Sequence, residues 1–252
     1  MKVLLTGATG YIGMKLLPIL TNNGHSVICC VRNIKKFHID DSLKDKVKVI
    51  EIDLTKKETL KNIPEDFDLA FYLVHSMSSS KNYGDLEKLS AINFREALNQ
   101  TSAKQVIYLS GIINSDTLSK HLNSRKNVEN ELSRGNYALT TLRAGIIIGS
   151  GSASFEIMRD LVEKLPIMIA PKWLKTKCQP IGISDVIKIL IGSIGNEKLY
   201  NKSIDIAGKD ILTYKEMLLI LASVRGLKRY IWTLPVMTPK LSSYWLYFVT
   251  ST

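Results

Sequence analysis

The chain has 252 residues, 45% of them hydrophobic, and a formal net charge of +11. That length buries a full core without staples and suits one large α/β domain or a domain with a small appended lobe. The charge comes from lysines scattered along the chain with no arginine-rich tract, and no run of about 18 apolar residues is free of charge. A dedicated nucleic-acid stripe and a membrane span are therefore not expected.

In chain order, KVLLTG (2–7) reads as a short buried strand and YIGMKLLPILTNNG (11–24) as a helix stopped at Gly24. HSVICCVR (25–32) is a second strand. It carries two of the three cysteines, Cys29 and Cys30, as buried thiols, and with Cys178 they make no disulfide framework. VKVIEIDL (47–54) is a third strand and FDLAFYLVHSM (67–77) a fourth. A helix over 85–103, a fifth strand at KQVIYLSG (104–111), a helix over 123–136 and a sixth strand at ALTTLRAGIIIG (138–149) follow. Strands apolar on both faces and separated by helices predict an α/β fold, a doubly wound parallel sheet of Rossmann type. Residues 1–150 are expected to form this core.

Residues 151–252 are expected to form a small C-terminal substrate lobe interleaved with the core and packed over the sheet's carboxyl edge. Its expected helices are 154–165, 183–194 and 213–226, the last opened by a Thr213–Glu216 capping box. SIDIAG (203–208) reads as a strand, and PIMIAPKW (166–173) is apolar and broken by prolines. The tail from Tyr230 is rich in aromatic residues. It is read as a pocket lid, a protein contact, a membrane-surface contact or ordinary core. The start of the chain reads as a strand with a glycine motif, not as a signal peptide, so a cytoplasmic setting is expected. The four histidines are too dispersed, and the cysteines wrongly placed, for a metal site.

Gly7, Gly10 and Gly13 fall in the context that makes glycine spacing informative: strand, tight turn, helix. Gly7 lets the chain turn off the strand, Gly10 lets backbone approach a pyrophosphate, and Gly13 lets the helix lie close to the sheet. Thr9, Tyr11 and Ile12 complete the turn and helix start, whose N–H groups attract phosphate. At the end of the second strand stands Arg32, followed by Asn33, where an acid would accept from the ribose hydroxyl of NAD. A guanidinium there forks onto a 2′-phosphate, so NADP(H) is preferred and NAD(H) kept as the other choice. Asp53 and Leu54 stand where adenine is held, with Asp53 equally able to cap the next turn. Leu73 and His75 follow the fourth strand at the sheet's ligand edge. His75 reads either as a hydrogen-bonded structural group or as a catalyst. Ala144, Gly145 and Ile146, after the sixth strand, are expected to face the nicotinamide.

TGATGYIG (6–13), IDL (52–54), AIN (91–93), YLSG (108–111), QPIGISDV (179–186) and IDIAGKDILTYKEML (204–218) together resemble the short-chain dehydrogenase/reductase superfamily in its extended or atypical branch. FYLVHSM (71–77) and LRAGIIIGSGSASFE (142–156) make the chain similar to NmrA-like and nucleoside-diphosphate-sugar-epimerase-like NAD(P)-binding proteins within it. In that group the C-terminal segment runs on, so the end at YFVTST reads as abrupt. The resemblance implies that Ser110 orients a substrate oxygen and that Asn93 supports a proton-relay water. It also implies a Tyr-x-x-x-Lys pair, and aligned on Glu129 that pair is here His121 and Arg125. An NADP-dependent oxidoreductase acting on a small carbonyl or quinone-like compound, with His121 or water as the acid and Arg125 on the ribose or in a surface pair, is one implied function. A non-catalytic NADP(H)-binding redox sensor or assembly protein is the other.

Overall fold

The computed structural model describes residues 1–75, 83–113 and 120–234, and gives only the backbone of Tyr83, Lys120 and His121. The chain runs β1 (Lys2–Thr6), α1 (Tyr11–Asn22), β2 (Ser26–Val31), β3 (Val47–Glu51), β4 (Leu69–Tyr72), α2 (Tyr83–Leu98), β5 (Gln105–Gly111), α3 (Lys120–Leu132) and β6 (Ala138–Ala144). It continues through β7 (Ile147–Ile148), α4 (Ala153–Lys164), β8 (Ile167–Pro171), β9 (Lys177–Cys178), β10 (Ile181–Gly182), α5 (Ile183–Gly192), β11 (Lys202–Ile206), β12 (Leu212–Thr213), α6 (Tyr214–Val224) and β13 (Tyr230–Leu234).

Two units divide the chain. The first comprises Met1–Ala144 and Ser184–Ile206, the second Gly145–Ile183 and Ala207–Thr252. In the first unit seven parallel strands lie in the order β11-β6-β5-β4-β1-β2-β3. From β1 the chain winds outward through β2 and β3, then restarts on β1's other side at β4. This is the Rossmann arrangement, and the reversal between β1 and β4 leaves a crevice at the carboxyl ends of the strands. The α/β, doubly wound parallel class expected from the sequence is the class observed.

The strands are apolar on both faces because helices cover both. Val3, Leu4 and Leu5 of β1 are all 0% exposed. On one face Leu4, Tyr72, Val106 and Tyr108 pack with Phe94 and Leu98 of α2 and Val128 and Leu132 of α3. Tyr72 meets Phe94 and Tyr108 edge-on, with ring centroids 5.0 and 5.7 Å apart. Polar ties fix what packing leaves loose. The buried Gln105 amide donates to Thr140 Oγ1 and Ser193 O and accepts from Gly195 N, joining β5 and β6 to the end of α5. Glu129 of α3 accepts both arms of Arg143 on β6, at 2.7 and 3.1 Å.

The expected sixth strand departs from the reading. The apolar run 138–149 breaks at Ala144, where β6 ends, and Ile147–Ile148 pair with Ile181–Gly182 in the second unit. Apolar character runs on through the break because the residues on either side are needed by two different cores. In the second unit Met158, Leu161 and Val162 of α4 pack with Met217, Leu218 and Ala222 of α6 and with Met168 and Ile231 of the β8–β13 pair. The Thr213–Glu216 capping box is formed at the start of α6. Among the described residues no helix is long and apolar enough to cross a membrane.

Candidate functional site: a cavity at the carboxyl ends of the strands

β1 ends at Thr6, whose hydroxyl donates to Phe71 O and accepts from Leu73 N, tying β1 to β4 at the floor of the crevice. Gly7 then turns with φ +71°, and a Cβ there would stand 2.7 Å from Leu73 O. The turn closes with Gly10 N donating to Gly7 O at 2.9 Å. Gly13, in the first turn of α1, lies so close to this turn that a Cβ would reach 2.2 Å from Gly7 O and 2.8 Å from Ala8 Cα. Gly10 differs. It is the N-cap residue at φ −82°, and its imagined Cβ meets nothing nearer than Gly7 O at 3.2 Å. A side chain at position 10 would need the Gly7 carbonyl to give by only a few tenths of an ångström.

α1 begins with no side-chain cap and no acidic residue in its first turn. Its opening N–H groups have no acceptor inside the helix, and its dipole favours an anion. These residues form one wall of a cavity of about 700 Å3, a volume within the usual range for cofactor sites. The other walls come from the ends of neighbouring strands: Cys30, Val31 and Arg32 at the end of β2, Ile52 to Thr55 after β3, and Leu73, Val74 and His75 after β4, with Ser90 from α2. Of the residues singled out in the sequence, Gly7, Thr9, Gly10, Tyr11, Ile12, Gly13, Arg32, Asp53, Leu54, Leu73 and His75 are thus brought to one cavity.

Their side chains are differently employed. Arg32 is exposed and joins no ion pair among the described residues. Asn33 Oδ1 accepts from Lys35 N at 2.9 Å and caps the short turn after it. The Asp53 carboxylate accepts from Thr55 N at 3.0 Å and from the Thr55 hydroxyl at 2.7 Å, so it caps the turn that presents Leu54. Asn93 is buried and does not line the cavity. Its Nδ2 donates to Leu54 O at 2.8 Å and pins that wall from behind.

Ser110, near the end of β5, is 5% exposed, and its hydroxyl lies beside the Tyr108 phenol but meets no partner at full hydrogen-bonding geometry among the described residues. Tyr108, on the same strand face, donates to Arg125 O at 3.4 Å. Burial pushes the Tyr72 and Tyr108 phenols up, and the nearby Arg125 charge offsets part of that. Arg125 therefore lies beside these two phenols, and it is not on the cavity wall. His121 lies in the first turn of α3, and its side chain is outside what is described. Ala144 closes β6 with its carbonyl accepting from Ile112 N, while Gly145 and Ile146 belong to the second unit, where Ile146 O accepts from Ile181 N.

One group in the cavity was read singly from the sequence and is coupled in the fold. His75 Nδ1 lies 3.0 Å from Oε1 of Glu87, a glutamate only 5% exposed on α2. The hydroxyl of Ser124, on α3 and 3% exposed, donates to the second oxygen, Oε2. Glu87 reads in sequence as one more polar position of a helix, and no local pattern marks it as buried.

The model of a family described as NAD(P)H-binding matches residues 7–150, more than half of the chain. An uncharacterized protein of Saccharomyces cerevisiae, YLL056C, is 28% identical over 115 residues, which are 45% of this chain and 38% of the yeast protein. The chain thus spans well under half of that relative. A nucleoside-diphosphate-sugar epimerase from Staphylococcus aureus superposes with TM-score 0.77 at 20% identity, covering 94% of this chain and 81% of the other. A UDP-glucuronic acid 4-epimerase from Bacillus cereus, solved with NAD, superposes with TM-score 0.72 at 17% identity over 93% and 86% of the two chains. At such identities the likeness is one of fold, that of the epimerases and short-chain dehydrogenases. The family match begins at the very glycine whose positive φ shapes the cavity, and on that match the chain belongs to the NAD(P)H-binding family, with a nicotinamide dinucleotide as its cofactor.

Proposed function

We propose that this protein is an NADP(H)-dependent oxidoreductase acting on a small carbonyl or quinone-like compound. The observation that carries the reading is the exposed guanidinium of Arg32, in no ion pair among the described residues, on the wall of the cavity that the glycine turn opens. A 2′-phosphate there gains a forked, charge-assisted contact. The glycine turn and the start of α1 hold the pyrophosphate. Asn33 lies beside Arg32, and the Asp53–Leu54 loop borders the adenine. When bound, the dinucleotide supplies hydride exchange at its nicotinamide ring. Ala144, at the end of β6 in the same unit, flanks that ring.

Ser110 supports the catalytic half of the reading. A buried hydroxyl without a partner at full hydrogen-bonding geometry costs about 1–3 kcal/mol, and a substrate oxygen bound there would satisfy it. Asn93 acts through Leu54 by holding the adenine loop, and Arg125, beside Tyr72 and Tyr108, contributes positive charge near Ser110's strand. A second reading, a protein that holds NADP(H) without turnover and reports redox state or supports an assembly, is favoured by His121 and Arg125 standing where the resemblance expects tyrosine and lysine. A cytoplasmic setting belongs to both readings.

The test is a fluorescence titration with NADPH and NADH, followed by a panel of aldehydes and quinones. Arg32→Ala is expected to lose about 1.5–3 kcal/mol of NADPH binding, roughly 10- to 100-fold in affinity, while NADH binding changes little. Equal losses for both cofactors would contradict the preference. Binding with no consumption of NADPH across the panel would favour the second reading.

A further inference from the structure

The structure joins three residues that lie far apart in the chain and to which the resemblance gives no common role. His75, at the exit of β4, lines the dinucleotide cavity and keeps 32% of its side chain exposed. Its Nδ1 faces Glu87 Oε1 at 3.0 Å, and Glu87 is held at its other oxygen by the buried hydroxyl of Ser124. The carboxylate is thus engaged at both oxygens, one on the imidazole and one on the helix behind it. We propose that His75 is the proton-transfer residue of this site, with Glu87 and Ser124 as its positioning residues; this rests on the oxidoreductase reading above.

The geometry assigns the atoms. A buried carboxylate has only acceptors to offer, so the ring nitrogen facing it carries the hydrogen. Neutral His75 is therefore the Nδ1–H tautomer, and its lone pair lies on Nε2. Nε2 sits on the opposite edge of the ring and makes no hydrogen bond among the described residues. Reduction of a carbonyl adds hydride to carbon, with two electrons supplied by the reduced dinucleotide, and one proton to oxygen. Protonated His75 delivers that proton from Nε2 and becomes the neutral Nδ1–H form. It regains a proton from solvent at its exposed edge. In the reverse direction Nε2 takes the proton from the alcohol. Glu87 fixes the ring's orientation and tautomer throughout.

Three other groups on the cavity walls are poorly placed for this. The Asp53 carboxylate is spent on Thr55, burial pushes the Cys30 thiol up, and Arg32 has no acceptor for a proton. Histidine is the side-chain type whose ordinary pKa lies near neutrality, and among the described residues His75 is the histidine on these walls. The chain thereby has an acid–base group on β4 and α2 although no tyrosine stands at position 121 of α3.

The experiment has two readouts. Long-range 15N–1H spectra of the histidine side chains in the full chain, assigned with His75→Asn, are expected to show neutral His75 as the Nδ1–H tautomer and to lose that preference in Glu87→Gln. An Nε2–H tautomer in the wild type overturns the proposal whatever the activity. Steady-state reduction of menadione and 4-nitrobenzaldehyde by NADPH is then compared for wild type, His75→Asn and Glu87→Gln, each checked for a wild-type thermal transition. For His75→Asn, kcat is expected to fall about 100-fold or more, with the Kd for NADPH changed by less than about threefold. For Glu87→Gln, kcat falls with little change in KM. A wild type that turns over and a folded His75→Asn that keeps its kcat overturns this role alone and leaves the oxidoreductase reading standing. A His75→Asn variant that loses NADPH affinity in proportion to its activity also overturns it, making His75 a cofactor contact. A wild type that binds NADPH and reduces neither probe overturns both.

Discussion

A Cβ at Gly13 would stand 2.2 Å from the Gly7 carbonyl oxygen, whereas one at Gly10 would stand 3.2 Å from it. The first distance cannot be relieved without moving backbone at the turn, and the second needs only a small adjustment. Gly7 and Gly13 are therefore demanded by the polypeptide itself, while at Gly10 the polypeptide asks for a shift of only a few tenths of an ångström and an approaching diphosphate would add its own demand. Gly13→Ala is expected to destabilise the protein by about 3 kcal/mol, the upper part of the range for forced overpacking, read as a lowered urea midpoint without any ligand. A midpoint equal to wild type would show that α1 does not lie as close to the β1 turn as described. A single spacing in the sequence thus conceals two kinds of constraint. The spacing was legible, and the division of labour needed coordinates. Asp53 is similar. Its placement after the third strand marked it for the cavity, and the alternative use, capping the next turn through Thr55, is the contact its carboxylate makes. Glu87 was invisible as a partner of His75, because the two lie twelve positions apart in the chain and only the packing of α2 against the sheet brings the carboxylate to the ring.

Apolar runs bounded by glycine and polar turns located β1 to β6 and the helices between them, because parallel strands covered on both faces leave a strong continuous signal. The same signal failed at Ala144, since a run that feeds two successive cores shows no break in hydrophobicity. The Thr213–Glu216 box marked the start of α6 from four letters, as side-chain capping is a local matter. β2 carries a consequence of its own burial. Cys29 is 0% exposed, and desolvation pushes its thiol from 9.0 up to about 12, with Cys30 shifted the same way. The folded state thus holds these protons more tightly than the unfolded chain. The stabilisation is intact below pH 9 and is lost as pH rises from 9 towards 12, because the unfolded state alone gains by releasing the proton. Each thiol adds up to about 1.4 kcal/mol per pH unit to that decline. Urea midpoints between pH 8 and 10.5 are expected to fall less steeply in Cys29→Ala than in wild type. Identical slopes would mean that the β2 thiols are solvated.

Across the molecule, the family match over residues 7–150 and the cavity at the ends of β1 to β4 concern the same part of the first unit, and residues 184–206 return to complete its sheet through α5 and β11. The net charge of +11 is spread over the chain, and Arg32 puts one of those cations on the cavity wall. The account turns on a dinucleotide diphosphate resting against the bare backbone of Gly10 at the start of α1, and equilibrium titration of NADPH into wild type and Gly10→Ala tests this most directly. The variant's urea midpoint is expected to lie within about 1 kcal/mol of wild type, while its NADPH affinity falls at least about tenfold. Undiminished binding by the folded variant, or no binding by the wild type, would contradict it.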